Sequence, residues 1–184
     1  MNACGVTRPK LPGVLVAAFG NPDRGDDGAG PLVAQALAGR LPPDVALLPG
    51  GTDPLVLMHS MAGYDVVICV DSAATTGETP GRIHRIEPGE GSLRLEQLRA
   101  STHGVGLAEV IELAAALGTS PGRLVVYAIE GNDFALGARP GHAVSRAAAT
   151  AAERIVGEVA RLRSAVDPRE VAAEAGAAHP GRPG

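Results

Sequence analysis

The sequence predicts an α/β fold, a three-layer α/β/α sandwich built on a mostly parallel five-stranded sheet. Short apolar runs with β-branched residues (13–19, 65–70, 123–129) alternate with longer stretches whose apolar residues recur at helical spacing (31–41, 105–117, 144–162). Aromatic residues make up only 2% of the 184-residue chain and Trp is absent. The core therefore has to come from Val, Leu, Ile and Ala, a composition suited to helices packed on a parallel sheet.

The first strand, 13–19, runs through Val14, Leu15 and Val16 and empties into a glycine-rich, acidic turn, Gly20-Asn21-Pro22-Asp23-Arg24-Gly25-Asp26-Asp27-Gly28-Ala29-Gly30. A helix over 31–41 follows. Residues 44–48 read as a short second strand, and Pro54, suited to a first helical turn, opens a short helix with Leu55, Met58 and Met61 at a three-residue period. The run 65–70 (Val66, Val67, Ile68, Cys69, Val70) is continuously apolar, as expected of a central strand buried on both faces, and it is expected to end at Asp71.

Residues 72–81, with Thr, Gly and Pro, read as a loop. Next, 81–87 alternates polar and apolar residues and reads as an edge strand with one solvated face. Residues 88–92 turn the chain, and 93–100 is compatible with a helical or an extended connector. Ser101 or Thr102 is placed to cap a helix beginning near Val105, with Leu107, Val110, Ile111, Ala114 and Leu117 on one face and Gly118 closing it. A last strand, 123–129, a loop over 130–141 and a long helix over 144–162 complete the order β-α-β-α-β-β-α-β-α. The inner stripe of that helix is Ala148, Ala151, Ile155, Val159 and Leu162. Residues 13–166 are thus expected as one domain, with 1–12 a flexible N-terminus and 167–184, rich in Ala, Gly, Pro and charge, a disordered tail.

Composition excludes several function classes. The net charge is −4, with acids and bases interspersed and no dense Lys/Arg stripe, which argues against nucleic acid as a partner. No window approaches a membrane-spanning length and residues 1–12 lack the apolar centre of a signal peptide, so a cytoplasmic, soluble protein is expected; the separate expectation for its oligomeric state is a monomer. Cys4 and Cys69 have neither metal-ligand nor disulfide spacing, and Cys69 reads as a small buried hydrophobe. The glycines of the acidic turn run in the wrong order for a dinucleotide fingerprint. No phosphate-binding Gly-Lys-Ser/Thr follows, and a nucleophile elbow is absent.

Chemistry is concentrated at three positions expected at strand ends or a helix start: Asp27, Asp71 and His103. In an open α/β sheet the carboxyl ends of parallel strands face the ligand crevice, so two carboxylates and an imidazole are expected on one rim. That donor set suits a borderline divalent ion such as nickel or zinc, with positions left open for water or substrate. Purely structural roles suit the same residues: Asp26 or Asp27 as a helix cap or dipole partner, Asp71 as an Asx-type turn residue, His103 as a capping or solvated histidine. His59, His84, His142 and His179 read as structural or solvated.

In conjunction these residues resemble the hydrogenase maturation protease family, endopeptidases that trim the C-terminus of the large subunit of nickel–iron hydrogenases. The family's strand, Gly-Asn, four residues, acidic pair and glycines are present as Gly20-Asn21, Asp26-Asp27-Gly28 and Gly30. Its central strand ending in aspartate matches Val67-Ile68-Cys69-Val70-Asp71, its Pro-Gly matches Pro80-Gly81, its Ser-x-His before a Leu-bearing helix matches Ser101-Thr102-His103 with Leu107, and its final Ile-Glu matches Ile129-Glu130. The resemblance places the family's metal contacts on Asp27, Asp71 and His103, with Asp27 and Asp71 as candidate catalytic carboxylates. It implies a partner, the large-subunit precursor, whose own nickel, held by cysteine thiolates, is sensed before the cut; nickel is then supplied by the substrate.

Departures from the family pattern are Ala18 for the first glycine of Gly-x-Gly-Asn and Pro49 where many members carry an aspartate, with Asp53 a substitute from the other side of the glycines. Gly131 replaces a proline, and Asp27 is one methylene shorter than the glutamate of many members. Two other readings use the same rim: a non-catalytic α/β module binding a small ligand or metal-bearing partner, and a different metal-assisted hydrolase.

Overall fold

Val14, Val16, Val66, Ile68, Val70, Val125, Tyr127 and Ile129 occupy alternate positions of three strands, as do Leu15, Ala17, Val67, Cys69, Val126 and Ala128 between them, and all are buried. A strand sends successive side chains to opposite faces. Burial of both sets therefore requires a covering layer on each side of the sheet, which the computed structural model provides. It describes residues 13–49, 54–74, 79–88 and 107–164.

In chain order the elements are β1 (Val14–Ala18), a 3-10 turn (Gly25–Gly28), α1 (Ala29–Leu37), β2 (Ala46–Leu48), α2 (Pro54–Met61), β3 (Val66–Ala74), β4 (Ile83–Ile86), α3 (Leu107–Ala116), β5 (Arg123–Gly131) and α4 (His142–Ser164). The five strands form one sheet in the order β2-β1-β3-β5-β4, parallel except for the antiparallel edge strand β4. The helices α1 and α4 cover the face carrying Val14, Ile68 and Tyr127. The other face, with Leu15, Cys69 and Ala128, is covered by α2 and α3. The three-layer sandwich and the five-stranded, mostly parallel sheet are as the sequence predicts.

Element ends differ from expectation in ways that matter for the site. The central strand does not stop at Asp71: β3 runs on to Ala74, and Asp71, Ser72, Ala73 and Ala74 pair with Ala128, Ile129, Glu130 and Gly131 of β5. The apolar run ends at Val70, but ladder hydrogen bonds need no apolar side chain, and β5 extends alongside. Ser72, Glu130 and Gly131, expected in loops, are strand residues for this reason. Leu117 is not part of the buried face of α3: it is 59% exposed, one residue past the helix end, where Gly118 adopts a positive φ as expected of a helix-closing residue.

The edge strand β4 is fastened to α4 by a polar cluster around the buried Glu158. Glu158, 4% exposed, accepts the Tyr127 hydroxyl at 2.5 Å and Arg85 Nε at 3.1 Å, and its other oxygen accepts Arg85 Nη2 at 2.5 Å. Glu87 accepts from Arg85 and Arg123 beside it. Among the described residues no helix is long and apolar enough to cross a membrane. The expectations placed on 1–12, Asp53, 93–100, Ser101, Thr102, His103, 167–184 and His179 lie outside the described residues.

Candidate active site

After β1 the chain passes through α1 to β2 on one side, whereas β3 lies on the other side of β1. The β1/β3 gap is thus a topological switch point, the place in open α/β sheets where the carboxyl ends of the strands leave a crevice. The last β1-side hydrogen bond runs from the Phe19 amide to the Val70 carbonyl at 2.8 Å. Beyond it β1 has peeled away, and the next residues of β3 on that side are Asp71 and Ser72.

Asp27 is placed from the β1 side by its turn. Gly20 has φ +112°, in the left-handed region, and a Cβ there would sit 2.0 Å from the Asp27 carbonyl oxygen, so only glycine lets the chain leave β1 this way. The next amide, Asn21 N–H, donates to Asp27 Oδ2 at 2.9 Å, and Asn21 Oδ1 accepts the Asp23 amide at 2.9 Å, closing an Asx turn. The Gly-Asn pair of the sequence motif is therefore the cradle of Asp27. That aspartate is 1% exposed.

The link to β3 is Ser72. Its hydroxyl donates to Asp27 Oδ1 at 2.9 Å, and its amide donates to Asp71 Oδ1 at 2.8 Å. One buried residue thus bonds both carboxylates. Burial pushes the Asp71 carboxyl up to about 7; the Ser72 amide works against that rise and the nearby Asp27 charge adds to it. Ser72 is not singled out by the sequence, in which 72–81 reads as a loop. The available signal was its position directly after a strand-end aspartate.

Asp26 does something different from its neighbour. Neither the 3-10 turn nor α1 has a side-chain cap, so the capping alternative does not hold for Asp26 or Asp27. Instead Asp26 Oδ2 accepts the amides of Asn132 (2.9 Å) and Asp133 (3.1 Å), and Oδ1 accepts that of Gly141 (2.8 Å). It pins both ends of the β5–α4 connection beneath the site. Gly131 makes room for it, since a Cβ there would lie 2.5 Å from Asp26 Cβ.

The structure therefore brings Asp27 and Asp71 together, while His103 lies outside the described residues. Leu107, four positions after His103, is buried on the α2/α3 face. Alternation along β3 directs Asp71 to that same face, between Cys69 and Ala73. Among the described residues no three His, Cys, Asp or Glu side chains are placed to hold a metal. Cys69 is buried and unpaired, and burial, then the Asp71 charge, push its thiol well above the usual range, in keeping with a core residue and not a nucleophile. His59 and His142 are exposed on α2 and at the start of α4.

Chemically, a pair of buried carboxylates at a crevice, one of them costly to ionise, can exchange protons with a bound water or stabilise a cation.

Comparison with known proteins gives a consistent picture. The profile of the hydrogenase maturation protease family matches residues 31–160, beginning just after the turn that carries Asp27. The hydrogenase expression/formation protein HupD of Thiocapsa roseopersicina is 34% identical over 134 residues, which cover 70% of this chain and 60% of HupD. HupD of Rhizobium leguminosarum bv. viciae is 30% identical over 128 residues, covering 68% of this chain and 63% of the relative. The chain thus spans about 60% of the length of such relatives. Among solved structures, the [NiFe] hydrogenase maturation protease HycI of Thermococcus kodakarensis superimposes with a TM-score of 0.61 at 28% identity, covering 79% of this chain and 90% of that one. The hydrogenase maturating endopeptidase HybD of E. coli shares the fold, with a TM-score of 0.68 at 21% identity, covering 80% of this chain and 92% of HybD.

Proposed function

The chain belongs to the hydrogenase maturation protease family, and on that premise we propose that it is an endopeptidase that removes a C-terminal peptide from the nickel-loaded precursor of a hydrogenase large subunit. The observation that carries this reading is the Ser72 bridge, which holds Asp27 and Asp71 together, buried, at the switch point of the sheet.

The nickel is part of the substrate. Asp71 is ionised only against the cost of its burial, and an approaching cation offsets that cost. Asp27 and Asp71, together with the His103 that the family resemblance adds, amount to two oxygen donors and one nitrogen donor, a set suited to a borderline divalent ion. An unloaded precursor offers no cation, so loaded and unloaded substrates differ in affinity by that interaction.

Hydrolysis then needs one water and one base. The water adds to the scissile carbonyl carbon while its proton passes to a carboxylate of the pair. The C–N bond breaks, and the proton moves to the departing amine, leaving a new C-terminal carboxylate and a free peptide. Asp26, by tying 132–141 to the Asp27 turn, keeps the rim rigid while the substrate is held.

The experiment is to replace Asp27 and Asp71 singly by Asn and to measure complex formation with the nickel-loaded precursor separately from cleavage. Loss of cleavage with complex formation intact assigns that carboxylate to the water. Loss of both assigns it to the nickel. Full cleavage by both variants would overturn the proposal.

A further inference from the structure

Beyond β4 the sheet has no further strand among the described residues. The pairing with β5 says which backbone groups face that open edge. The Gly81 amide donates to the Glu130 carbonyl at 2.7 Å and the Glu130 amide to the Arg82 carbonyl at 2.9 Å, a bulge made with Gly81 at φ +88°. Antiparallel strands alternate hydrogen-bonded and open pairs, so, counting from Arg82 opposite Glu130, His84 and Ile86 are the residues bonded to β5. The N–H and C=O groups of Ile83 and Arg85 therefore point away from the sheet. Beside that edge runs a groove of about 320 Å³ between β4 and α4. Ile83, Ala143 and Ala147 form its floor, and Arg146, Thr150 and Arg154, all exposed on α4, stand along its side. Among the described residues no acid lines it. Arg85, Arg123 and Arg163 are each tied to a carboxylate, whereas among the described residues the side chains of Arg146 and Arg154 have no partner.

We propose that this edge and groove form a docking surface for an extended acidic segment of a partner protein, which adds to the sheet as a strand beside β4. The open N–H and C=O groups of Ile83 and Arg85 supply the main-chain hydrogen bonds of such an addition, and contacts to alternate side chains supply its selectivity. Arg146 and Arg154 are separated by eight positions of α4, about 12 Å at roughly 1.5 Å per residue. An extended chain covers that distance in about four residues, and side chains four apart in a strand share a face. The segment recognised thus carries two acids four positions apart, with a small residue midway over Ala147. Charge disfavours a second copy of this chain as the occupant. Arg82, Arg85, Arg146 and Arg154 would meet themselves across such a contact, and basic residues on a short edge strand guard against self-pairing. The surface lies on the α4 side of the edge strand, with β5 between β4 and β3, so a partner held there leaves the Asp27–Asp71 crevice open. The inference does not depend on the peptidase reading.

The test uses the full-length protein and a synthetic peptide with blocked ends, Thr-Glu-Val-Ala-Val-Glu-Thr, whose glutamates and alanine share one face of a strand. A second peptide carries Lys for both Glu. In the free monomer, amide exchange is expected to be fast at Ile83 and Arg85 and slow at His84 and Ile86; the acidic peptide should slow it at Ile83 and Arg85. The lysine peptide should not bind. Replacing Arg146 and Arg154 together by Ala should raise the Kd of the acidic peptide by about 10-fold. The melting temperature of that variant should be unchanged, because both side chains are exposed. Slow exchange at Ile83 and Arg85 in the free monomer would mean that the chain covers its own edge, and a concentration-dependent dimer that protects them would make a second copy the occupant. Either result overturns the proposal. So does a failure of the acidic peptide to bind, or an unchanged Kd in the double variant.

Discussion

Asp27 and Ser72, 45 positions apart in the chain, meet in a buried hydrogen bond of 2.9 Å between the Ser72 hydroxyl and Asp27 Oδ1. Through it the turn after β1 and the overhanging end of β3 become one site. Because the Ser72 amide also serves Asp71, one residue links the two carboxylates.

Ser72→Ala removes that bond and leaves Asp27 Oδ1 with one donor fewer in a buried setting. We expect a loss of about 1–3 kcal/mol of stability and, because positioning partners of functional groups are worth roughly 10- to 100-fold, a comparable fall in kcat/KM. Urea unfolding and precursor cleavage measured on the same preparation check both. A variant as active as the unmodified protein would show that the bridge does not position the pair.

Asp26→Asn tests the clamp under the rim. An amide has one acceptor oxygen, whereas the carboxylate uses both, for the amides of Asn132, Asp133 and Gly141. At least one of those amides loses its partner, at a cost of about 1–3 kcal/mol. Hydrogen exchange should then quicken at Asn132, Asp133 and Gly141 before it quickens in β3. Unchanged protection there would contradict the assignment.

The raised Asp71 carboxyl gives a stability profile with a definite sign. Its ordinary value is 3.8 and its folded value about 7, so between these the folded state binds the extra proton and stability falls as pH rises. The fall is complete above about pH 7 and is on the order of 4 kcal/mol for the metal-free protein if the unfolded carboxyl is unperturbed. Asp71→Asn should flatten the profile between pH 4 and 7 and raise stability at pH 8. Denaturant titrations across that range check it, and a slope that survives in the variant would assign the dependence elsewhere.

The layered fold was legible because it rests on apolar runs such as Val66–Val70 and on helical spacing such as Ala148, Ala151 and Ile155, which burial on two faces requires and the structure reproduces. What the sequence hid was longer-range. A charged residue after Val70 reads as a strand end, but pairing with β5 carries β3 four residues further, and pairing leaves no mark on hydropathy. The same blind spot concealed Ser72. For Asp26 the sequence offers a local alternative, a cap or dipole partner, because helix-start aspartates commonly serve so, whereas the amides its carboxylate accepts are 106–115 positions away. Leu117 continues the helical period by spacing alone, and nothing in the period says that the helix stops at Ala116.

The most direct measurement is the intact mass of the large-subunit precursor, with and without nickel loading, after incubation with this protein or with Asp27→Ala. Loss of a C-terminal peptide from the loaded precursor alone, and with the unmodified protein alone, is the result expected. An unchanged mass for a loaded precursor that a known maturation protease can process, or equal trimming by Asp27→Ala, would contradict the account.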